Sequence, residues 1–248
     1  MRAIIFALAL LLPMLLAVPA FAGALPQGFV YLRDVDPSIV QDMRYAGNDN
    51  FTGHPLPGYD APECVLRRAV ALALSKVQAD LAAQNLGLKV YDCYRPSRAV
   101  AAMARWARQS EDSATKRFYP GRDKRALFAG GYIAAHSRHS MGTAVDLTLI
   151  ALPAAPAAPF DPNAHYGPCT APAEQRAPDN SLDMGTGFDC FDQKSSAFWS
   201  MATSEQNHRR VVLNEAMRKR GFHDYVREWW HFGFGPRGPA YDFAIGGR

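Results

Sequence analysis

Two separated stretches of the chain carry residue types that can hold a divalent metal and use it. These stretches are residues 137–146, which read SRHSMGTAVD, and residues 228–231, which read EWWH. His139, Asp146 and His231 supply two imidazoles and a carboxylate, and Glu228 adds a second carboxylate. A catalytic zinc site has three protein ligands, an open position for water and a group that accepts the proton of that water. The two stretches together predict a zinc site that carries out hydrolysis.

The spacing of these residues requires turns or bends in the backbone if their side chains are to meet. His139 and Asp146 would face opposite sides of one flat strand. Gly142 lies between them and permits a tight turn or bulge, after which Asp146 can point to the same side as His139. We expect Asp146 to lie on a half-buried strand, where a carboxylate needs a partner such as a metal. Glu228 and His231 need a bend or a helical turn to share a face.

Other interpretations of these pieces stay open when each is taken alone. A His-x6-Asp pair occurs on many protein surfaces, and two adjacent tryptophans are typical of a core. The other histidines have no such neighbours, and we expect them to be solvent-facing or hydrogen-bonded: His54, His136, His165, His208 and His223.

The elements that must position these residues form an α+β pattern. Apolar periodicity predicts helices over 66–81, 97–106 and 204–220, with Gly87 and Gly221 at helix ends and Ser97 as a cap. Strands are predicted at 29–32, 88–94 and 223–231, with two short strand-like pieces within 131–150. The elements mix without a βαβ rhythm, which favours a central, mainly antiparallel sheet flanked by helices. The Pro/Ala-rich residues 151–178 are predicted to be an excursion within one domain.

The N-terminus and the cysteines indicate an exported protein. Residues 1–22 have a positive start, an apolar run and the small-x-small end Ala20-Phe21-Ala22, which is typical of a signal peptide. The run is too short for a comfortable membrane anchor, so residues 23–248 are the expected mature domain. A net charge of +4 without a long basic run gives no footprint for nucleic acid.

Four cysteines remain after the apolar run, and an even number in an oxidising compartment predicts two disulfides with three possible connectivities. Cys64–Cys93 and Cys169–Cys190 are favoured, because the first pair brackets a helix and the following strand and the second closes an irregular segment. A cysteine zinc cluster is the alternative, but the chain has no Cys-x-x-Cys spacing.

The pattern Ser-x-His-x-x-Gly-x-Ala-x-Asp followed by Glu-x-x-His resembles the signature of a zinc peptidase superfamily. That group includes lysostaphin-like enzymes, D-alanyl-D-alanine carboxypeptidases and the hedgehog fold. Within it, the chain resembles the D-alanyl-D-alanine dipeptidases of the vancomycin-resistance (VanX) type. Four further stretches carry this resemblance: residues 45–46 with 49–53 (YA and DNFTG), 91–96 (YDCYRP), 146–149 (DLTL) and 183–189 (DMGTGFD).

The resemblance implies a hedgehog/DD-peptidase-like fold with one zinc ion per chain. It implies that His139, Asp146 and His231 are the zinc ligands, that Glu228 is the general base, and that Arg95 stabilises the charged transition state. A structural ion pair between Arg95 and Asp92 is the alternative for that arginine.

The resemblance also implies three residues that bind the substrate. Ser137 would hold the substrate carboxylate, Asp189 would meet its amino group, and Tyr59 would line the same pocket. A carboxylate in an Asx turn is the alternative for Asp189.

The function expected from the residues and the resemblance together is a periplasmic or secreted zinc dipeptidase that hydrolyses D-Ala-D-Ala to two D-alanines. The alternatives are a D,D- or L,D-carboxypeptidase acting on peptidoglycan stem peptides, and a cell-wall-binding module without activity. The expected partner is a small D-amino-acid dipeptide, with no nucleic acid and no stable membrane insertion after signal cleavage. The sequence makes no prediction of the oligomeric state.

Overall fold

A computed structural model describes residues 25–111 and 113–247, so the predicted signal peptide at 1–22 lies outside the described residues. The strands are β1 Phe29–Tyr31, β2 Val40–Gln41, β3 Val65–Arg67, β4 Leu86–Asp92, β5 Ala144–Ala151, β6 Phe222–Tyr225 and β7 Glu228–Phe234. The helices are α1 Leu32–Val35, α2 Arg68–Ala82, α3 Ser97–Trp106 and α4 Ser204–Lys219. None of the helices among these residues is long and apolar enough to cross a membrane.

The central sheet has five strands in the order β2-β4-β5-β7-β6. Every neighbouring pair is antiparallel except β2 and β4, which are parallel. A small antiparallel sheet of β1 and β3 lies beside it. Helices α2 and α4 contribute buried side chains to the core formed with this sheet. The α+β fold with a mainly antiparallel sheet, predicted from the sequence, is confirmed.

Helix α2 is shorter than its apolar pattern predicted. Leu66 continues the helical spacing but belongs to β3, because both elements bury their apolar side chains in the same core. The helix ends at Ala82, and Gly87 lies inside β4 rather than at the helix end. Ser97 begins α3 but does not cap it, since its hydroxyl donates to the Tyr241 carbonyl.

Helix α4 begins at Ser204 as predicted and ends at Lys219, one residue before the predicted end. Thr203 and Gln206 form a reciprocal capping box at its start, which satisfies two backbone N–H groups. After its last residue, Gly221 adopts a φ of 89°, a backbone conformation that favours glycine.

The strand that carries Asp146 differs from the expectation. Strand β5 is buried on both faces from Ala144 to Ile150 because it is central in the sheet and the following segment covers it, so it is not half-buried. The other predicted strand-like piece of 131–150 is absent from the described structure: 131–138 is irregular, and His139–Met141 forms a 3₁₀ turn.

The segment between β5 and α4, residues 152–203, contains no strand or α-helix. Asp179 ties this segment to the sheet, because its carboxylate accepts hydrogen bonds from Arg44 (2.9 Å), from Tyr91 (2.7 Å) and from Lys89. The structure contains the two disulfides favoured from the sequence, Cys64–Cys93 and Cys169–Cys190.

Candidate active site

The pairing of β5 and β7 brings the predicted metal ligands together. Asp146 lies directly opposite His231, and directly opposed residues share one face of a sheet. His139 reaches the same place from the 3₁₀ turn before β5. That turn ends at Gly142, which has a φ of 69° and whose missing Cβ would lie 2.3 Å from the Phe29 ring. The tight turn predicted at Gly142 is present, and it is why Asp146 and His139 converge.

The three side chains form a compact donor set. His231 Nδ1 lies 2.9 Å from Asp146 Oδ1 and 3.1 Å from His139 Nε2. His139 Nε2 lies 3.3 Å from Asp146 Oδ1. Burial alone raises the pKa of Asp146, but the two histidines outweigh it and hold that pKa well below its usual range. Two imidazole nitrogens and a carboxylate oxygen within 4.8 Å of one another fit a divalent metal.

The backbone behind His139 prepares that residue for ligation. Its Nδ1 donates to the Cys93 carbonyl at 2.7 Å and lies 3.2 Å from an Asp92 carboxylate oxygen. Since both neighbours are acceptors, Nδ1 carries the hydrogen and Nε2 offers its lone pair to the cluster. Such partners fix the tautomer and orientation of metal-binding histidines.

Glu228 begins β7 and lies in the same cleft as the donor set. It is buried, and burial raises its pKa well above the ordinary value, with further increases from the charges of Asp146 and Asp189. A carboxylate with a raised pKa is suited to accept and return a proton near neutral pH.

Arg95 faces the cleft and is held from behind by Asp92. Its Nε and one terminal nitrogen lie 2.9 and 2.8 Å from Asp92 Oδ2. The Asp92 carboxylate has no exposed surface and also accepts a 2.6 Å hydrogen bond from Tyr59. The ion pair considered as the alternative is therefore present, and it orients the guanidinium toward the cleft, where it lies 3.7 Å from Asp146 Oδ2.

Tyr59 does not line the cleft as expected. It is absent from the residues that line the cleft; its ring is buried, and its hydroxyl donates to the Asp92 carboxylate, which also accepts from Arg95. Its distance in sequence from the Asn-Phe-Thr-Gly stretch indicated that Tyr59 lies near the site. That distance does not indicate whether the side chain lines the cleft or packs behind the residues that do.

Among the residues expected to bind the substrate, Asp189 has the most unusual environment. Its carboxylate is 4% exposed and accepts a 2.7 Å hydrogen bond from the Tyr45 hydroxyl. Burial, together with the Asp146 charge, raises the pKa of Asp189 to about 8, although the Tyr45 hydrogen bond lowers it. Tyr45 also lines the cleft, with the Arg95 guanidinium 4.9 Å from its ring. The sequence analysis predicted no role for Tyr45, although residues 45–46 are part of the resemblance to the dipeptidases.

Ser137 lies on the wall of the cleft, half-buried. Its Oγ accepts a 3.2 Å hydrogen bond from the His139 amide, so its own hydrogen remains available to an acceptor in the cleft. The cleft has a volume of about 300 Å³. That is at the lower end of the range of about 300–1,000 Å³ for small-molecule sites.

Comparisons with known proteins identify the family. The model of the peptidase M15 family, described as D-ala-D-ala dipeptidase, matches residues 26–155 and 175–244. The chain belongs to this family. It is therefore a metal-dependent peptidase, and an inactive wall-binding module is not supported.

Relatives of the chain carry the same description. It is 34% identical over 206 residues to the D-alanyl-D-alanine dipeptidase of Enterococcus faecalis, covering 83% of this chain and 90% of the relative. It is 35% identical over 205 residues to that of Streptomyces coelicolor, covering 82% and 90%. Among solved structures, a vancomycin resistance D,D-dipeptidase, VanXYg, in complex with a D-Ala-D-Ala phosphinate analogue matches with 16% identity and a TM-score of 0.33, over 83% of this chain and 66% of that one.

Proposed function

We propose that the chain is an exported, zinc-dependent dipeptidase that cleaves D-alanyl-D-alanine into two D-alanines. The observation that carries this proposal is one small cleft lined by the donor set, by Glu228, by Arg95 and by the buried Asp189. The names of the relatives support the same substrate.

The donor set would hold zinc, which, when bound, supplies a Lewis acid and lowers the pKa of a coordinated water to about 7. Glu228 would accept the proton of the attacking water and deliver it to the nitrogen of the leaving D-alanine. Its raised pKa makes it a better acceptor of that proton than an ordinary carboxylate.

Arg95 would stabilise the negative charge that develops on the carbonyl oxygen of the attacked peptide bond. A guanidinium stays charged at every working pH, and a donor held in advance at this position acts without reorganisation during the reaction. The hydrogen bonds that Arg95 donates to the Asp92 carboxylate hold the guanidinium in advance.

The two ends of a free dipeptide would be recognised separately. Asp189 would bind the ammonium group and Ser137 would donate to the carboxylate. A buried carboxylate that pairs with a ligand cation disfavours the binding of ligands that lack a cation, because the carboxylate would remain unpaired in such a complex. The dipeptidase is thereby distinguished from an enzyme that trims stem peptides, whose substrate has no free amine at this position.

Export is part of the proposal. Its supports are the signal-like residues 1–22 and two disulfides, which persist in oxidising compartments. An exported enzyme would not reach a cytoplasmic pool of D-Ala-D-Ala, so recovery of wall-derived dipeptide is the role that fits. Recovery of a protein beginning near residue 23 from the periplasm or medium would support export, and an uncleaved cytoplasmic chain would oppose it.

The deciding experiment measures D-alanine released by purified residues 23–248 from three peptides. These are D-Ala-D-Ala, its N-acetylated form and a pentapeptide ending in D-Ala-D-Ala, each with and without a chelator. We expect turnover of the free dipeptide alone, abolished by the chelator and restored by zinc. Turnover of the pentapeptide would instead assign a wall carboxypeptidase, and chelator-insensitive turnover would overturn the metal mechanism.

A further inference from the structure

We propose that the Cys169–Cys190 disulfide is a positioning element of the active site, which holds the Asp189 carboxylate where the amino group of the substrate binds. The inference rests on the proposed function, in which Asp189 is the ligand of that amino group. It assigns to the cross-link a role in substrate affinity in addition to any role in stability.

Asp189 lies where no regular element can hold it. The segment between β5 and α4 has only two short 3₁₀ turns, at Ala173–Gln175 and Gln193–Ser195. In addition, Asp189 has a φ of 55°, in the left-handed region that residues other than glycine seldom adopt. Such a conformation persists where the surrounding structure over-determines it, and it occurs often at ligand-binding positions.

Cys169 holds the chain on both sides of Asp189. Two residues before Asp189, the Gly187 amide donates to the Cys169 carbonyl at 2.8 Å. The residue directly after Asp189 is Cys190, which is covalently joined to Cys169. The turn that presents the carboxylate is therefore closed at its two ends by one residue.

Cys169 is itself attached to the body of the domain. Its amide donates to the Arg117 carbonyl at 2.8 Å, and the next residue of that segment, Phe118, accepts a 2.7 Å hydrogen bond from the Phe191 amide. On the other side of Cys190, the Ser195 hydroxyl donates to the Cys190 carbonyl at 2.6 Å. The disulfide completes this set of attachments at the residue next to Asp189.

The cross-link belongs to a part of the chain that the family model does not match. The match stops at residue 155 and resumes at 175, so Cys169 lies in the unmatched stretch, whereas Asp189 and Cys190 lie in the matched one. The positioning role is thus argued from the contacts of this chain and not from the family pattern.

The test replaces both cysteines together, Cys169→Ala with Cys190→Ala, which leaves no free thiol. We expect KM for D-Ala-D-Ala to rise roughly 10- to 100-fold, as for a misplaced substrate-binding group, while kcat and bound metal change little. In an Asp189→Ala background, removal of the disulfide should raise KM no further, because the group that it positions is already absent.

A matched control removes the other disulfide, Cys64→Ala with Cys93→Ala. The two cross-links span comparable stretches of 29 and 21 residues, but the Cys93 carbonyl supports His139 rather than Asp189. We therefore expect weaker metal binding, and a KM that still depends on Asp189. Equal effects of the two double variants on metal content and KM would overturn the proposal in favour of a purely stabilising role.

A second measurement is independent of catalysis. Amide hydrogen exchange at Gly187 and Phe191 should accelerate without the Cys169–Cys190 cross-link, whether or not D-Ala-D-Ala is the substrate. If the wild-type enzyme is inactive on the dipeptide yet exchange accelerates, the proposed function fails and the positioning of the turn stands. Unchanged exchange together with an unchanged KM would refute the inference.

A milder variant covers the case in which the double variant does not fold. Ser195→Ala removes the donor to the Cys190 carbonyl while keeping the disulfide. We expect a smaller KM rise in the same direction, absent in the Asp189→Ala background. The same rise with and without Asp189 would contradict a role through that carboxylate.

Discussion

The two halves of the site are held in different ways. The donor set lies on paired strands and the adjoining turn, so β5 and β7 fix Asp146 and His231 through backbone hydrogen bonds. Asp189 lies on an irregular segment and depends on single attachments: a disulfide, the Tyr45 hydroxyl and a few backbone contacts. The comparison teaches that the proposed metal ligands are fixed by strand pairing and the adjoining turn, whereas the carboxylate proposed to bind the substrate amine is secured by individual attachments.

This contrast predicts that changes on the sheet side alter kcat and metal binding, and that changes on the segment side alter KM. The largest effect is expected at Glu228. Glu228→Gln removes the proton acceptor, and loss of general base catalysis reduces kcat by roughly 10²–10⁴-fold. Metal content, measured by elemental analysis, should match the wild type. Retention of wild-type kcat would contradict the role of Glu228.

Arg95→Ala should follow, with kcat reduced roughly 10²–10³-fold, the cost typical of one lost donor to a developing oxyanion. Arg95→Lys should recover little activity, because one ammonium cannot reproduce the two hydrogen bonds to Asp92 Oδ2. Steady-state kinetics on D-Ala-D-Ala give kcat and KM separately for each variant. A change confined to KM would move Arg95 to the substrate-binding half of the comparison.

Tyr45→Phe tests the other half. The Tyr45 hydroxyl lowers the pKa of Asp189, so its removal should raise that pKa further above the ordinary value. Asp189 must be ionised to bind an ammonium group, and kcat/KM should therefore decline as pH falls through its pKa. We expect the variant to lose about tenfold in kcat/KM at neutral pH, consistent with one hydrogen bond to a charged group.

The pH profile supplies the check on that prediction. The acid limb of kcat/KM should lie at higher pH in Tyr45→Phe than in the wild type, and the deficit should shrink as pH rises. Bound zinc would offset the charge of Asp146, so both limbs should lie at lower pH in the metal-loaded enzyme than the pKa of about 8 in the metal-free protein. A deficit independent of pH would show that Tyr45 acts by packing alone.

The smallest effect on catalysis is expected from Asp179→Asn. This change leaves Arg44 and Lys89 without the carboxylate that joins the irregular segment to the sheet. We expect a loss of about 1–3 kcal/mol in the free energy of unfolding, the range for hydrogen bonds to charged groups, with kcat within threefold of the wild type. Asp80→Asn, which removes the half-buried carboxylate partner of Arg220, is the control and should lower Tm less.

The sequence was most informative where chemistry and local periodicity coincide. His139, Asp146 and His231 converge as predicted, because Gly142 can adopt the left-handed conformation that the turn requires and because β5 pairs with β7. The end of α4 was equally readable, since Gly221 marks it directly.

The sequence was less informative about what lies behind the cleft. Tyr59 was expected in the wall but is buried with its hydroxyl on Asp92, and Tyr45 was given no role although its hydroxyl donates to Asp189. Both outcomes depend on which side of a buried tyrosine faces the cleft, and this is decided by long-range packing that no local spacing encodes. The burial of β5 on both faces was missed for the same reason, because the covering segment follows it without a regular pattern.

The exposed part of the irregular segment lies, in sequence, between two groups of active-site residues. Residues 153–159 are all exposed, and Arg95, His139 and Asp146 precede them while Asp189 and the EWWH stretch follow them. Each disulfide lies wholly on one side of this stretch, so a cut within it would yield two chains joined by non-covalent contacts, among them the pairing of β5 with β7 and the hydrogen bonds of Asp179. Neither fragment would contain a complete donor set. Fragments produced separately would then have peptidase activity only when they associate, and turnover would measure that association.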